Sequence, residues 1–150
     1  MKTPLYVFDL DMTLADCSNR LPLIQQDSKN WDGFWAAVGD DKPIEWTIKL
    51  LRNYLSQTTC SVMILSGRSD ASRGLTLDWI HKNIGYPVIL EMRKHGDHRP
   101  DTVVKPEILA KILELNPDHE VAFIVEDRQR MVDTWRGLGY NVLQCAKGDY

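Results

Sequence analysis

The sequence has no CxxC pair, no glycine-serine or proline-rich linker, no internal repeat and no excess of positive charge. Each absence closes a class of protein. Cys17, Cys60 and Cys145 are an odd number at unrelated spacings, which rules out a disulfide framework, and a chain of 150 residues can bury enough surface to do without one. No charged leader with an apolar segment and small-residue cleavage site precedes the first apolar run, so a reduced, cytoplasmic protein is expected. No apolar run approaches the roughly 18 residues of a membrane span, so no membrane partner is expected. With 18 basic and 21 acidic residues and a net charge of −3, nothing draws nucleic acid over long range. Any such attraction must be local. GxxxxGK[ST] does not occur, so the chain carries no P-loop kinase of its own.

What is present is an alternation of strands and helices. Apolar runs bounded by polar turns at Leu5–Leu10, Cys60–Leu65, Val88–Met92, Val121–Val125 and Asn141–Cys145 predict five strands. Helical spacing covers Trp31–Val38, Ile44–Leu55, Ala71–Ile84, Pro106–Leu115 and Arg128–Leu138, with Pro106 suited to a first turn and Gly85 and Gly139 to helix stops. The order predicts one α/β domain over residues 1–150: three layers, Rossmann-like, a mainly parallel five-stranded sheet with helices on both faces. The gap from Asp11 to Cys60 is longer than one crossover needs, and its excess, about residues 15–41, predicts a small cap over the site.

The chemistry gathers at the strand ends, where open α/β sheets bind ligands. Asp9 and Asp11 close the first strand at i and i+2, positions that share a face of an extended chain, and no Lys or Arg follows them before Arg20. A positive partner must come from elsewhere. Ser66-Gly67-Arg68 follow the second strand, Asp101 and Lys105 precede the fourth helix, and Glu126 and Asp127 follow the fourth strand. The four carboxylates Asp9, Asp11, Glu126 and Asp127 suit a hard cation such as Mg²⁺, while a serine hydroxyl and a lysine suit the remaining oxygens of a phosphate. One of the first two aspartates can then attack phosphorus while the other manages the proton of the leaving alcohol.

"DLDMTL" at 9–14, "SGR" at 66–68, Lys105 and "ED" at 126–127 resemble the four motifs of the haloacid dehalogenase superfamily of phosphatases. "RKHGDHRPDTVVKPEIL" at 93–109 and "VEDRQRMVDTWRGLGYNVLQCAKGDY" at 125–150 are similar to the 3′-phosphatase domain of phage-type polynucleotide kinase-phosphatases. The likeness spans nearly the whole chain and is weakest between about residues 21 and 58. It implies Asp9 as nucleophile, Asp11 as general acid and base, Lys105 as a catalytic cation, and Mg²⁺ held by Asp9, Asp11, Glu126 and Asp127. It also implies that Arg20, Ser66, Gly67, Arg68 and Asp101 bind phosphate, orient the lysine or support the nucleotide. Glu126 departs from the aspartate usual in the family. Met12 stands where many members have glycine, at a position expected to face away from the site. The namesake dehalogenases need no acid two residues after their nucleophile, so Asp11 speaks for phosphoryl transfer.

The expected activity is Mg²⁺-dependent removal of a 3′-phosphate from DNA or RNA ends through an aspartyl-phosphate, with any coupled kinase or ligase on a separate chain. A nucleotidase acting on free mononucleotides and a non-catalytic end-binding module are the alternatives. A calcium loop starting at Asp9 is excluded, because Leu14 replaces its turn glycine and Arg20 its closing glutamate. His95 and His98 lack further ligands at zinc spacing and read as loop residues. Trp31 and Trp35, at i and i+4, read first as a helix face on the core, with base stacking as the sharper alternative; Trp135 is assigned to the core. The basic stretch 93–99 is either a solvated loop or a local grip on a polynucleotide backbone.

Overall fold

The computed structural model describes residues 1–85 and 88–148; the final two residues of the 125–150 stretch lie outside them. Its axis is β1 (Thr3–Phe8), whose side chains alternate between two apolar clusters. Leu5 and Val7 join Met63, Leu65, Ile124, Leu109, Met131 and Trp135 in one, and Phe8 joins Ile64, Val125, Ile48, Leu51, Trp79 and Ile80 in the other. A period of two in a strand with both faces covered is what a central strand requires.

Around β1 stand β4 (Ser61–Ser69), β5 (Ile89–Arg93), β6 (His119–Arg128) and β7 (Val142–Gly148), in the order β5-β4-β1-β6-β7, all parallel. Helices α3 (Glu45–Leu55) and α4 (Arg73–Asn83) cover the Phe8 face, and α5 (Asp101–Leu115) and α6 (Gln129–Gly137) the Leu5 face. This is the expected three-layer α/β sheet. A turn after β1 leads into an insertion made of β2 (Ala15–Asp16), α1 (Pro22–Gln25), α2 (Trp31–Ala36), a 3₁₀ turn (Val38–Asp40) and β3 (Lys42–Pro43), with β2 and β3 antiparallel.

Several boundaries differ from expectation. Helix α5 starts a turn and a half before Pro106, which lies inside it, because Pro100 occupies the cap and presets the entry. Asp101 and Lys105 consequently sit one turn apart on one helical face. Strands β4 and β6 run past their apolar segments, so Ser66, Arg68, Glu126 and Asp127 lie within strands rather than after them. Among the described residues no helix is long and apolar enough to cross a membrane.

Candidate active site

Asp9 follows β1 directly, its N–H donating to the Val125 carbonyl at 2.9 Å, which sets it beside Glu126 and Asp127 of β6. The carboxylate oxygens of Asp9, Glu126 and Asp127 lie within 4.8 Å of one another, and all three residues are buried. Lys105 answers two of them: its Nζ is 2.7 Å from Asp9 Oδ1 and 3.0 Å from Glu126 Oε2. Burial alone would favour neutral lysine, but the Asp9 and Glu126 carboxylates outweigh it and hold Lys105 charged beyond its ordinary range. Burial likewise opposes ionisation of Asp9, yet the charge and hydrogen bond of Lys105 carry its carboxyl below the usual range. Glu126 shows the excess of negative charge, pushed well upward by burial and then by Asp9. The Thr13 hydroxyl stands between Asp9 Oδ2 at 3.1 Å and Asp127 Oδ1 at 3.2 Å. An all-oxygen set with more negative than positive charge fits a hard divalent cation, and Mg²⁺ matches it. The longer Glu126 side chain bonds Lys105 and still belongs to the cluster.

Asp11 is placed differently. Its carboxylate is outside that cluster and accepts bonds from Arg20 Nη2 and Arg68 Nη2, each at 2.7 Å. The alternation of β1 ends at Phe8, and the chain turns tightly between Leu10 and Ala15 through Met12, which has φ of 62°. Extended-chain geometry therefore does not reach Asp11. The opposite charge missing near both aspartates is supplied from distant sequence: Lys105 serves Asp9, and two arginines serve Asp11.

Those arginines have a second shared partner that the sequence did not reveal. Asp41 accepts from Arg20 Nε and Nη2 and from Arg68 Nη2, all at 2.9 Å. Arg20, Arg68 and Asp41 are sealed from solvent, whereas the Asp11 side chain is 30% exposed, so this buried lattice presents Asp11 to the cavity. Trp79 of α4 fixes Asp41 from behind, its indole N–H donating to the Asp41 carbonyl at 2.7 Å.

Ser66 and Gly67 flank the same floor. The Ser66 hydroxyl accepts from the Arg68 N–H at 3.1 Å, and its own proton is committed to no partner among the described residues. At Gly67 a Cβ would lie 2.5 Å from Asp101 Oδ1, so only glycine lets Asp101 approach. Asp101 is held by Arg93 and by Arg128 Nη1 at 3.1 Å. Arg93 also donates to the Gly67 carbonyl at 2.9 Å, and Arg99 is paired with Asp97 and Glu107. Both arginines of the 93–99 stretch are thus paired within the protein, and Lys94 of the same stretch lines the cavity.

The floor opens into a cavity of about 920 Å³ shared by Asp9, Asp11 and Lys105 with Trp31 and Trp35 of the insertion. Packing on the core, the first expectation for Trp31, is not what the structure shows: the residue is 46% exposed and stacks on Trp35, centroids 6.2 Å apart. Helical spacing marks one face of α2 but cannot say whether that face meets core or cavity. Trp135 is fully buried, as expected. His95 bonds Ser69 near the rim, and no histidine belongs to the acidic cluster.

A buried carboxylate beside a lysine, with a serine and an acidic trio at the carboxyl ends of adjacent parallel strands, is the arrangement of a phosphatase of the haloacid dehalogenase class. More narrowly, residues 3–150 match the polynucleotide kinase PNKP phosphatase domain, and the chain belongs to that family. It is similar to a chain of the Pnkp1/Rnl/Hen1 RNA repair complex, with 26% identity and a TM-score of 0.79 over 99% of this chain and 44% of that one. A second Pnkp1/Rnl/Hen1 structure gives 28% identity and a TM-score of 0.80 over 99% and 48%. The chain spans under half the length of both. A class C acid phosphatase from Bacillus anthracis with tungstate bound shares the fold, at 13% identity and a TM-score of 0.71 over 100% of this chain and 69% of that one.

Proposed function

We propose that the chain removes the 3′-phosphate from nucleic-acid ends, with Mg²⁺, through an aspartyl-phosphate. The observation that carries this is the division of labour between the aspartates: Asp9 lies in the acidic cluster under Lys105, and Asp11 outside it on two arginines. Asp9 attacks phosphorus as the bond to the 3′-oxygen breaks, and Asp11 gives that oxygen its proton. Asp11 then takes a proton from water, which attacks the same phosphorus, releases inorganic phosphate and restores the Asp9 carboxylate. Lys105 and the Ser66 hydroxyl hold non-bridging oxygens throughout. Bound by Asp9, Glu126 and Asp127, Mg²⁺ would supply Lewis-acid stabilisation of the phosphoryl charge. The insertion over residues 15–41 acts as the cap, tied to the floor through Arg20 and Asp41.

The likeness to a chain of the Pnkp1/Rnl/Hen1 RNA repair complex supports RNA ends as substrate, with any coupled kinase or ligase activity on a separate chain. Three free cysteines fit a cytoplasmic setting. One observation favours free mononucleotides instead: the internal pairing of Arg93 and Arg99 leaves Lys94 as the main cation of that stretch to track a phosphate backbone. Phosphate release from a 3′-phosphorylated oligonucleotide, its 5′-phosphorylated isomer, and 3′- and 5′-mononucleotides, with Mg²⁺ and with chelator, decides between them. Preference for the first substrate, lost in chelator, is expected. Equal rates on the 5′ isomer would refute the 3′-end assignment.

A further inference from the structure

We propose that Trp31 is a stacking platform for the terminal nucleobase of the substrate strand. This rests on the 3′-end reading and adds how such an end is held. Trp31 is nearly half exposed on a six-residue helix and, unlike the more exposed Trp46, lines the cavity of the acidic cluster. The ring is also prepared for a flat ligand. Trp35 lies beneath it at an interplanar angle of 23°, and Phe34 braces both edge-on, at 5.7 Å from Trp31 and 4.9 Å from Trp35. The Asn30 side chain caps α2 through the Gly33 N–H at 2.9 Å, fixing the helix that carries all three rings.

The platform opens into the cavity that holds Asp9 and Asp11, and at about 920 Å³ that cavity exceeds what a phosphate alone requires. It is joined to the chemistry from below. The Arg20 guanidinium lies 4.3 Å from the Phe34 ring centre and 6.0 Å from that of Trp35, and the same guanidinium bonds Asp11. Arg93 and Arg99 are paired internally, and Lys94 at the cavity wall can meet only phosphate charge, so the stacked rings supply a contact to the base itself. Every base has a π-face, so such a handle tolerates any terminal sequence.

The test uses 3′-phosphorylated pentanucleotides ending either in 2-aminopurine or in an abasic sugar. Bound to Asp9→Asn protein, which should not turn over, the terminal 2-aminopurine is expected to lose fluorescence. Adding Trp31→Ala should abolish that quenching, and Trp31→Phe should preserve most of it. In otherwise wild-type enzyme Trp31→Ala should lower kcat/KM about tenfold on the base-bearing end and leave the abasic end unchanged. Equal quenching with and without Trp31, or equal kcat/KM losses on both ends, would overturn the platform. Quenching that depends on Trp31 in a protein whose wild type frees no phosphate from either end would sustain the platform and overturn the 3′-phosphatase reading.

Discussion

Asp41 and Asp11 share the same two arginines: Arg68 Nη2 stands 2.7 Å from Asp11 Oδ1 and 2.9 Å from Asp41 Oδ2, and Arg20 bridges them likewise. Burial pushes the Asp41 carboxyl upward, and the paired guanidinium of Arg20 opposes that push. Two buried cations thus rest on one buried anion and one that faces substrate. Asp41 belongs to the insertion, so the placement of Asp11 depends on how the insertion docks.

Asp41→Ala should therefore cost both stability and rate. Removing one partner of a buried ion pair strands the other charges, at about 3–5 kcal/mol. Asp11 then loses its fixed support, and kcat should fall at least about tenfold with a smaller change in KM, because Asp41 touches no substrate. Thermal melting and steady-state kinetics on one preparation check both. A stable variant with unchanged kcat would show that Asp11 is held by Arg20 and Arg68 alone.

Asp9→Asn should abolish phosphate release while leaving the melting temperature within a few degrees of wild type. It deletes the attacking oxygen's charge and also relieves repulsion with Glu126. Wild-type turnover in this variant, with metal present, would move the nucleophile elsewhere.

Mg²⁺ should stabilise the fold measurably, because three buried carboxylates, those of Asp9, Glu126 and Asp127, converge beside Lys105, which pairs with the first two. At a concentration 100 times its Kd, a ligand bound only to the native state adds about 2.7 kcal/mol. For a chain of this size that is roughly 5–11 °C in Tm. Asp127→Asn should lose most of the shift. Differential scanning fluorimetry reads this without any substrate, and a wild-type melt indifferent to Mg²⁺ would count against the site.

The sequence made the sheet and its tips legible because those signals are local. Apolar runs mark β1, β4 and β6, and Asp9, Ser66, Lys105, Glu126 and Asp127 stand where ligands meet such a sheet. Contacts made by a single charged residue in a weakly patterned stretch leave no such mark. Asp41 looks like half of an acidic turn beside Asp40, and only the fold brings it to Arg20 and Arg68. Arg93 looked like one member of a basic run and instead ties Gly67 to Asp101. The direction of the Asp11 side chain is not legible in the sequence because β1 stops at Phe8, and the alternation that would pair Asp11 with Asp9 stops with it.

Alkaline pH should destabilise the protein in part through Cys17. Burial first, and then the negative charge of Asp11, push its thiol from 9.0 up to about 12. The unfolded chain gives up that proton from about pH 9, while the folded chain keeps it to about pH 12. Between those values the native state binds more protons, so stability falls as pH rises, and it is fully retained below pH 9. Cys17→Ser removes the titrating group at similar size. Urea midpoints measured from pH 8 to pH 10.5 should decline less steeply in that variant, and parallel declines would exclude the thiol as a contributor.

Met12→Gly should stabilise the turn that carries the aspartates. The φ of 62° at Met12 is left-handed, which costs a non-glycine residue about 1–2 kcal/mol. Glycine removes that cost and gives back roughly 0.5–1 kcal/mol in unfolded-state entropy. A net gain of up to about 1 kcal/mol corresponds to roughly 2–4 °C in Tm. Four backbone bonds hold the turn whatever side chain is present: Thr13, Leu14 and Ala15 donate to the Leu10 carbonyl, and Met12 donates to that of Ala15. Activity should accordingly change little, because Asp11 keeps its two arginines. A melting temperature lower than wild type would mean that the Met12 side chain contributes more by its contacts than its backbone costs.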